Sequence, residues 1–203
     1  MPRLAIIRHG QSLWNAQNRF TGWVDVPLTE QGEAEARAAG DRLASSGVSW
    51  DVAYTSVLQR ATHTCDLAME AAGITVPIIR DEALNERHYG DLQGLNKKAT
   101  IERFGEHVVH VWRRSFAIPP PNGEALKDTA QRTLPFFRAA IMGDIADGRN
   151  VLLFAHGNSN RSIVMELDGL DEQGVMDVEL ATGVPVVYDL ATDGTVLGKE
   201  VWS

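Results

Sequence analysis

Two histidines, His9 and His156, occupy nearly the same local sequence at opposite ends of the chain. His9 follows the apolar residues 4–7 and one arginine, and is followed by glycine, glutamine and serine. His156 follows the apolar residues 151–155 and is followed by glycine, asparagine and serine. A short, unbroken apolar run is typical of a strand buried on both faces, and open α/β sheets bind ligands at the ends of such strands. The pattern predicts two imidazoles in one crevice; the alternative is that each histidine only completes a turn.

Arginines accompany these motifs although the chain as a whole is acidic, with a net charge of −8. Arg8 directly precedes His9, and Arg60 is predicted in the first turn of a helix that follows a strand. A cation at that end of a helix opposes the helix dipole, which indicates an anion bound nearby. Arg113 and Arg114 are adjacent. Because arginine binds phosphate and carboxylate oxygens in a bidentate manner, they predict a further anion contact; a solvated helix face is the alternative.

These residue types suit phosphoryl transfer. A neutral imidazole such as that of His9 can attack phosphorus and form a phosphohistidine, which splits one hard transfer into two easier ones. A second, protonated histidine and the arginines can stabilise the charge that spreads over the phosphoryl oxygens. A carboxylate such as Glu86 can take a proton from the substrate hydroxyl and return it. This set of residues needs no metal. The alternative is that Glu86 and Arg87 form a surface ion pair of little consequence.

Other chemistries find less support in the sequence. The chain lacks a Gly-x-Ser-x-Gly nucleophile elbow, a Walker loop and a Gly-x-Gly-x-x-Gly loop. His107 and His110 are three residues apart on a predicted helix, but no third ligand is spaced to join them, so no metal site is predicted. The single cysteine, Cys65, excludes an internal disulfide and a cysteine-based zinc site.

Length and composition predict one globular domain over residues 1–203. Of these residues, 44% are apolar and 23% are charged, which is ordinary for a soluble protein. The net charge of −8 argues against non-specific nucleic-acid binding. No apolar stretch approaches the roughly 20 residues of a membrane span, and Pro2 and Arg3 lead directly into the first strand without a signal-peptide pattern. We therefore expect a cytoplasmic protein without nucleic-acid or membrane partners.

Strands and helices alternate along the chain, which predicts the α/β class with a mostly parallel sheet. Strands are predicted over 4–7, 51–55, 76–79 and 151–155, followed by a C-terminal hairpin over 184–188 and 196–201. The helices are predicted from the cap Thr29 to Gly47, from a capping box of Ser56 and Gln59 to about residue 72, over 97–116 with an interruption near Gly105, over 125–145 with a kink at Pro135, from the cap Asn158 or Ser159 to about residue 167, and over 171–178.

The chain resembles a known family at several separate strings. Arg8-His9-Gly10 together with the later His156 resembles the histidine phosphatase superfamily. A narrower resemblance, to the cofactor-dependent phosphoglycerate mutases, covers nearly the whole chain. It is carried by Arg-Phe-Thr-Gly-Trp at 19–23, Tyr-Thr-Ser-Val-Leu at 54–58, Leu-Asn-Glu-Arg-His-Tyr-Gly at 84–90, Leu-Gln-Gly-Leu-Asn-Lys at 92–97, Trp-Arg-Arg at 112–114 and Thr-Gly-Val-Pro at 182–185.

The resemblance implies an enzyme that interconverts 2- and 3-phosphoglycerate, with 2,3-bisphosphoglycerate as the priming phosphate donor and with no metal. It implies a central sheet flanked by helices on both faces, and it leaves open a homo-oligomer, dimeric or tetrameric. By position, His9 is the nucleophile, Glu86 the proton donor and acceptor, and His156 the stabiliser of the phosphoryl group, which Arg8 and Arg60 clamp. Four of these five residues, Arg8, His9, Arg60 and Glu86, are also implied to bind substrate. The other implied substrate-binding residues are Gly10, Gln11, Ser12, Asn15, Thr21, Gly22, Arg87, His88, Tyr89, Lys97, Arg113, Arg114, Gly157 and Asn158.

The sequence departs from the family pattern in three places. The segment 119–124 is abbreviated, and the chain stops at Ser203 soon after its last predicted strand, so the usual mobile tail is expected to be short or absent. Asn160 stands where an apolar residue is usual. A poorly shielded phosphoenzyme loses its phosphate to water, so a phosphohistidine-type phosphatase for small phosphorylated metabolites is the alternative enzyme. A non-catalytic module that binds a phospho-ligand or a protein is disfavoured because both histidines and Glu86 are present.

Overall fold

A six-stranded sheet forms the centre of the fold in the computed structural model, which describes residues 1–203. Its strands lie in the order β3-β2-β4-β1-β5-β6. The first four are mutually parallel, and β5 and β6 form an antiparallel hairpin that pairs with β1. The predicted α/β class, with a mostly parallel sheet and a C-terminal hairpin, is thus confirmed. The strands are β1 Arg3–Arg8, β2 Val52–Thr55, β3 Ile78–Arg80, β4 Val151–Ala155, β5 Pro185–Leu190 and β6 Val196–Val201.

Helices cover both faces of this sheet. They are α1 Leu13–Ala16, α2 Glu30–Ser45, α3 Gln59–Ala72, α4 Lys97–Phe104, α5 Glu106–Arg114, α6 Leu126–Phe136, α7 Met142–Ala146 and α8 Gly157–Leu167, with a π-helical turn at Phe137–Ile141 and 3-10 turns at Glu82–Leu84, Gly90–Leu92 and Gly174–Asp177. No helix combines the length and the apolar character that crossing a membrane requires.

The alternating side chains of the central strands explain why both faces are covered. In β1, Ile7 joins a buried cluster with Leu43 of α2 and Cys65 of α3, whereas Ile6 joins a second cluster with Phe137 and Ile163 on the opposite face. Each fully buried aliphatic side chain of this size contributes about 1.5–3 kcal/mol to folding. The apolar runs in β1 and β4 therefore specify strands between two helical layers, as predicted.

Three predicted helix boundaries need correction. Helix α3 begins after Leu58, and Ser56 does not cap it, because the Ser56 hydroxyl lies 2.7 Å from Nε2 of His156. Helix α8 begins one residue after its cap, His156, and not after Asn158 or Ser159. The segment 171–178 forms only the short 3-10 turn at Gly174–Asp177.

Of the two interruptions predicted for the later helices, the one near Gly105 is present. Gly105 separates α4 from α5 with a φ of 88°, a left-handed conformation that favours glycine. Pro135 lies inside α6, where its missing N–H removes one helical hydrogen bond. The chain does not break there; it continues through the π-helical turn at Phe137–Ile141 into α7.

Candidate active site

The sheet topology brings the two histidine motifs together. Strands β1 and β4 are adjacent and parallel, with Arg8 paired to Ala155, so the residues that follow both strands emerge at one edge of the sheet. The rings of His9 and His156 lie with their centroids 5.0 Å apart, edge to face. Both side chains are buried, with exposed fractions of 2% and 0%. Two imidazoles thus share one crevice.

His9 is held as a neutral base with its proton on Nδ1. Its Nδ1 lies 2.7 Å from the carbonyl oxygen of Gly10; because a carbonyl can only accept, Nδ1 carries the proton and Nε2 does not. Arg60 Nε donates towards that Nε2 over 3.3 Å. Burial, followed by the charges of Arg60 and Arg8, lowers the pKa of His9 to about 3. Nε2 is therefore available as a nucleophile at neutral pH.

Arg60 is fixed by the loop that precedes α2. Its guanidinium is buried and donates to the carbonyl oxygens of Val24, over 3.1 Å, and Gly22, over 2.7 Å. Burial lowers the pKa of Arg60 to about 10, so it remains a cation at neutral pH. Its place in the first turn of α3 costs the helix some dipole energy but puts a fixed positive charge beside the nucleophile.

Glu86 is an ionised carboxylate in the same crevice. Its Oε1 accepts hydrogen bonds from the backbone N–H of Arg87 at 2.9 Å and from both the backbone and the side-chain nitrogen of Asn158 at 3.0 Å. Burial by itself would raise the pKa of Glu86, but these hydrogen bonds and the charge of Arg60 outweigh it and lower the pKa. Glu86 is 8% exposed and makes no ion pair with the side chain of Arg87, so the surface ion pair considered from the sequence is absent.

Arg132, on α6, holds the loop that carries Glu86. Its guanidinium donates to the carbonyl oxygens of Ala83, Asn85 and Glu86 over 2.8–2.9 Å and forms an ion pair with Glu124 at 2.9 Å. The carbonyl of Glu86 accepts a second hydrogen bond from Trp23 Nε1. Sequence reasoning missed this support, since backbone carbonyls carry no sequence signal.

A cavity of about 220 Å³ opens over His9 and is strongly cationic. Seven arginines and lysines line it against two carboxylates. Of the predicted site residues, Arg8, His9, Asn15, Thr21, Gly22, Arg60, Glu86, Tyr89, Lys97, Arg113, Arg114, Gly157 and Asn158 are in its lining. Four lining residues were not predicted: Arg19, Phe20, Arg161 and Glu179. Arg161 could have been found from its spacing, because it lies one helical turn after Gly157 on α8.

Six predicted site residues lie behind this lining. His156 packs against His9. Gly10 contacts Gly32 so closely that a Cβ on Gly10 would lie 2.1 Å from the Gly32 carbonyl oxygen. Gln11 donates its backbone N–H to Glu35.

The other three residues behind the lining hold backbone and neighbouring side chains. Ser12 caps α1, and Arg87 donates to Tyr89 Oη and to the Arg113 carbonyl. His88 packs edge-on against Trp23. Substrate contact by these six residues, like that by the lining residues, stays a prediction.

A second hollow, of about 830 Å³, shares Arg114 and Glu179 with the cationic cavity. Asp171, Glu172 and Asp177 also line it, and this acidic lining does not suit a phosphorylated ligand. The cationic cavity is the better candidate for anion chemistry.

Comparison with known proteins gives a family assignment. The model of the histidine phosphatase superfamily (branch 1) matches residues 4–200. The chain is 52% identical to a 2,3-bisphosphoglycerate-dependent phosphoglycerate mutase of Brucella anthropi, over 98% of this chain and 97% of the relative. It is 54% identical to a protein of the same name from Azorhizobium caulinodans, over 97% and 96%.

Solved structures show the same fold at lower identity. Bacillus stearothermophilus YhfR is 27% identical, with a TM-score of 0.83 over 97% of this chain and 94% of that one. A mycobacterial glucosyl-3-phosphoglycerate phosphatase in complex with VO3 is 25% identical, also with a TM-score of 0.83, over 99% and 97%. The chain therefore belongs to the histidine phosphatase superfamily and, within it, to the family of 2,3-bisphosphoglycerate-dependent phosphoglycerate mutases.

Proposed function

We propose that this protein interconverts 2- and 3-phosphoglycerate through a phosphohistidine on His9, with 2,3-bisphosphoglycerate as the priming donor. The observation that carries the proposal is a neutral His9 and an ionised Glu86 at the bottom of a cavity lined by seven cations. The relatives of more than 50% identity, named 2,3-bisphosphoglycerate-dependent phosphoglycerate mutases, support the same substrate and primer.

His9 Nε2 carries the phosphoryl group between substrates. In the phosphoenzyme, the free hydroxyl oxygen of a phosphoglycerate attacks phosphorus, the N–P bond breaks, and its electron pair returns to Nε2. The carboxylate of Glu86 accepts the hydroxyl proton. In the second half-reaction Nε2 attacks the other phosphate of the resulting bisphosphoglycerate, and protonated Glu86 returns the proton to the leaving oxygen. The low pKa of Glu86 suits the first step, in which it must be ionised.

Fixed charges stabilise the transferring group. Arg8 and Arg60 stand beside His9 and neutralise the oxygens of the phosphoryl group, while His156 supplies a further hydrogen-bond donor. The sequence suggested a protonated His156, but burial, Arg60 and His9 lower its pKa well below the usual value, so the free enzyme holds it neutral. A neutral ring still donates one N–H.

The outer part of the cavity would bind the rest of the substrate. Lys97, Arg113 and Arg114 would hold the carboxylate and the second phosphate, because ionised donors make the strongest hydrogen bonds to such oxygens. Asn15, Thr21, Gly22, Tyr89, Gly157 and Asn158 would provide the neutral contacts. The residues behind the lining, Gly10, Gln11, Ser12, Arg87 and His88, would act by fixing the loops that carry these groups.

A phosphatase that uses the same phosphohistidine is the second candidate. A solved relative of the same fold is named a glucosyl-3-phosphoglycerate phosphatase, and water that reaches the phosphoenzyme would produce that outcome. The mutase is favoured because the relatives that share half of the sequence carry that name.

The test is the turnover of 3-phosphoglycerate with and without added 2,3-bisphosphoglycerate, following 2-phosphoglycerate and free phosphate together. Isomerisation that the bisphosphate stimulates, with little free phosphate, is the expected result. Phosphate release without isomerisation would make the protein a phosphatase. A His9→Ala variant serves as the control and should lose both activities.

We further propose one domain spanning residues 1–203 that acts in the cytoplasm on small phosphoglycerates, with neither nucleic acid nor membrane as a partner and without a metal. A homo-oligomer, dimeric or tetrameric, is the assembly to test by light scattering.

A further inference from the structure

One buried hydroxyl next to the active site has no role in the mechanism described above. Ser56 lies between β2 and α3, is 0% exposed, and was predicted to cap a helix that it does not cap. Its Oγ lies 2.7 Å from Nε2 of His156 and accepts the backbone N–H of Leu58 over 3.2 Å. No other hydrogen bond reaches the hydroxyl. The other ring nitrogen of His156, Nδ1, is buried and has no partner in the protein.

Counting donors and acceptors assigns the proton on His156. If the Ser56 hydroxyl donates to Nε2, the neutral ring carries its proton on Nδ1, and one buried donor remains unpaired. If Nε2 carries the proton instead, both the Ser56 hydroxyl proton and the Nδ1 lone pair remain unpaired. Each unpaired buried group costs about 1–3 kcal/mol, so the first arrangement is favoured.

We propose that Ser56 is a positioning residue that holds His156 in the tautomer with its proton on Nδ1, so that a neutral N–H is kept for a phosphoryl oxygen. The inference rests on the proposed function, because the phosphoryl group is what this donor would serve. It adds that the tautomer of His156 is fixed before the ligand binds and that this tautomer depends on the hydroxyl of Ser56. A lone pair on Nδ1 would repel an anionic oxygen, whereas the N–H attracts it.

Nitrogen NMR of His156 in the ligand-free protein tests the proposal directly. A protonated and an unprotonated ring nitrogen give well-separated ¹⁵N shifts, and a His156→Gln variant assigns the signals. The expected result at neutral pH is a protonated Nδ1 and an unprotonated Nε2. A protonated Nε2 in the wild-type protein would overturn the proposal, whatever activity the enzyme shows.

Three variants extend the test to function. Ser56→Ala should lower kcat for the mutase reaction about 10- to 100-fold, the size of loss seen when the group that orients a metal-bound histidine is removed, with little change in KM. It should also move the ring proton of His156 towards Nε2. Ser56→Thr keeps the hydroxyl and should restore the Nδ1 tautomer and most of kcat, while Ser45→Ala, at an exposed serine on α2, should change neither.

The outcomes separate this inference from the proposed function. If Ser56→Ala lowers kcat but leaves the proton on Nδ1, Ser56 acts only through local structure and the inference is wrong. If the wild-type protein shows the Nδ1 tautomer but transfers no phosphate, the inference about Ser56 stands and the proposed function fails.

Discussion

The floor and the wall of the cationic cavity are built differently. The floor consists of His9, Arg60 and Glu86, with His156 packed behind His9, and all four are at most 8% exposed. The wall is formed by α4 and α5, whose cavity residues are only partly buried; the side chain of Arg114 is 35% exposed and its partner Glu179 is 71% exposed. Charges in the floor therefore interact strongly because the surroundings have a low dielectric constant, whereas water screens the charges of the wall.

Packing shows the same contrast. His9 and His156 stand at the ends of strands that run between the two large apolar clusters. The wall packs through a cluster of its own with three buried members, Phe20, Leu92 and Val109. Regions with few buried apolar contacts open at lower free energy than the core. We infer that the reacting groups lie where many packing contacts fix their positions. The substrate-binding groups lie where small movements cost little free energy.

The largest effect should follow from a change in the floor that removes a proton acceptor but keeps the shape of the side chain. Glu86→Gln keeps a side-chain oxygen that can accept the N–H groups of Arg87 and Asn158, but its amide cannot take up and return the hydroxyl proton. The mutase rate should therefore fall about 10²- to 10⁴-fold. With p-nitrophenyl phosphate, whose leaving group departs without a proton, phosphorylation of His9 should fall much less. Equal losses with both substrates, measured by stopped-flow, would remove Glu86 from acid–base catalysis.

Arg132 connects the floor to α6, and Arg132→Gln should break that connection. The loop carbonyls and Glu124 would lose their common donor. We expect kcat to fall about 10- to 100-fold and the free energy of unfolding in urea to fall by about 2–3 kcal/mol. Arg138→Gln, which breaks an exposed pair with Glu166, is the matched control and should cost under about 1 kcal/mol. Wild-type kcat in Arg132→Gln would show that the loop holds Glu86 unaided.

A change in the wall should alter binding and not chemistry. Arg114→Gln should raise KM for 3-phosphoglycerate about 10-fold, the effect of one partly screened charged hydrogen bond, with kcat changed by less than about 3-fold. Arg103→Gln on α4, an exposed arginine outside the cavity lining, should leave both constants unchanged. A fall in kcat without a rise in KM would contradict the division between floor and wall.

The last effect concerns stability in acid. In the folded protein the pKa of His9 is lowered to about 3, whereas in the unfolded chain it is about 6.5. Below pH 6.5 the unfolded state therefore binds more protons, and the free energy of unfolding decreases as the pH falls, by about 1.4 kcal/mol per unit for this histidine.

Comparing His9→Gln with the wild type isolates this contribution, because other titrating groups are common to both. Between pH 7.5 and pH 5 in urea titrations, the wild type should lose about 2 kcal/mol more stability than the variant. Equal losses would mean that His9 is not held neutral by burial.

The sequence predicted the strands that carry the two histidines better than the residues that hold the site in place. Apolar runs that end in histidine identify β1 and β4 because a strand's burial is visible in its own residues, and parallel pairing then brings His9 and His156 together. The role of Ser56 was mispredicted because the local Ser-x-x-Gln spacing fits a capping box, while its actual partner, His156, is 100 residues away. Arg132 gave no signal, since its partners are carbonyl groups that every residue has.

The central claim is that phosphate passes through His9 and stays there until a phosphoglycerate accepts it. We would label the enzyme with ³²P-2,3-bisphosphoglycerate, quench in alkali, map the labelled peptide, and chase with either 3-phosphoglycerate or buffer. We expect the label on His9 and its transfer to phosphoglycerate far faster than its release as free phosphate. A label on another residue, or equal loss with and without 3-phosphoglycerate, would contradict the claim.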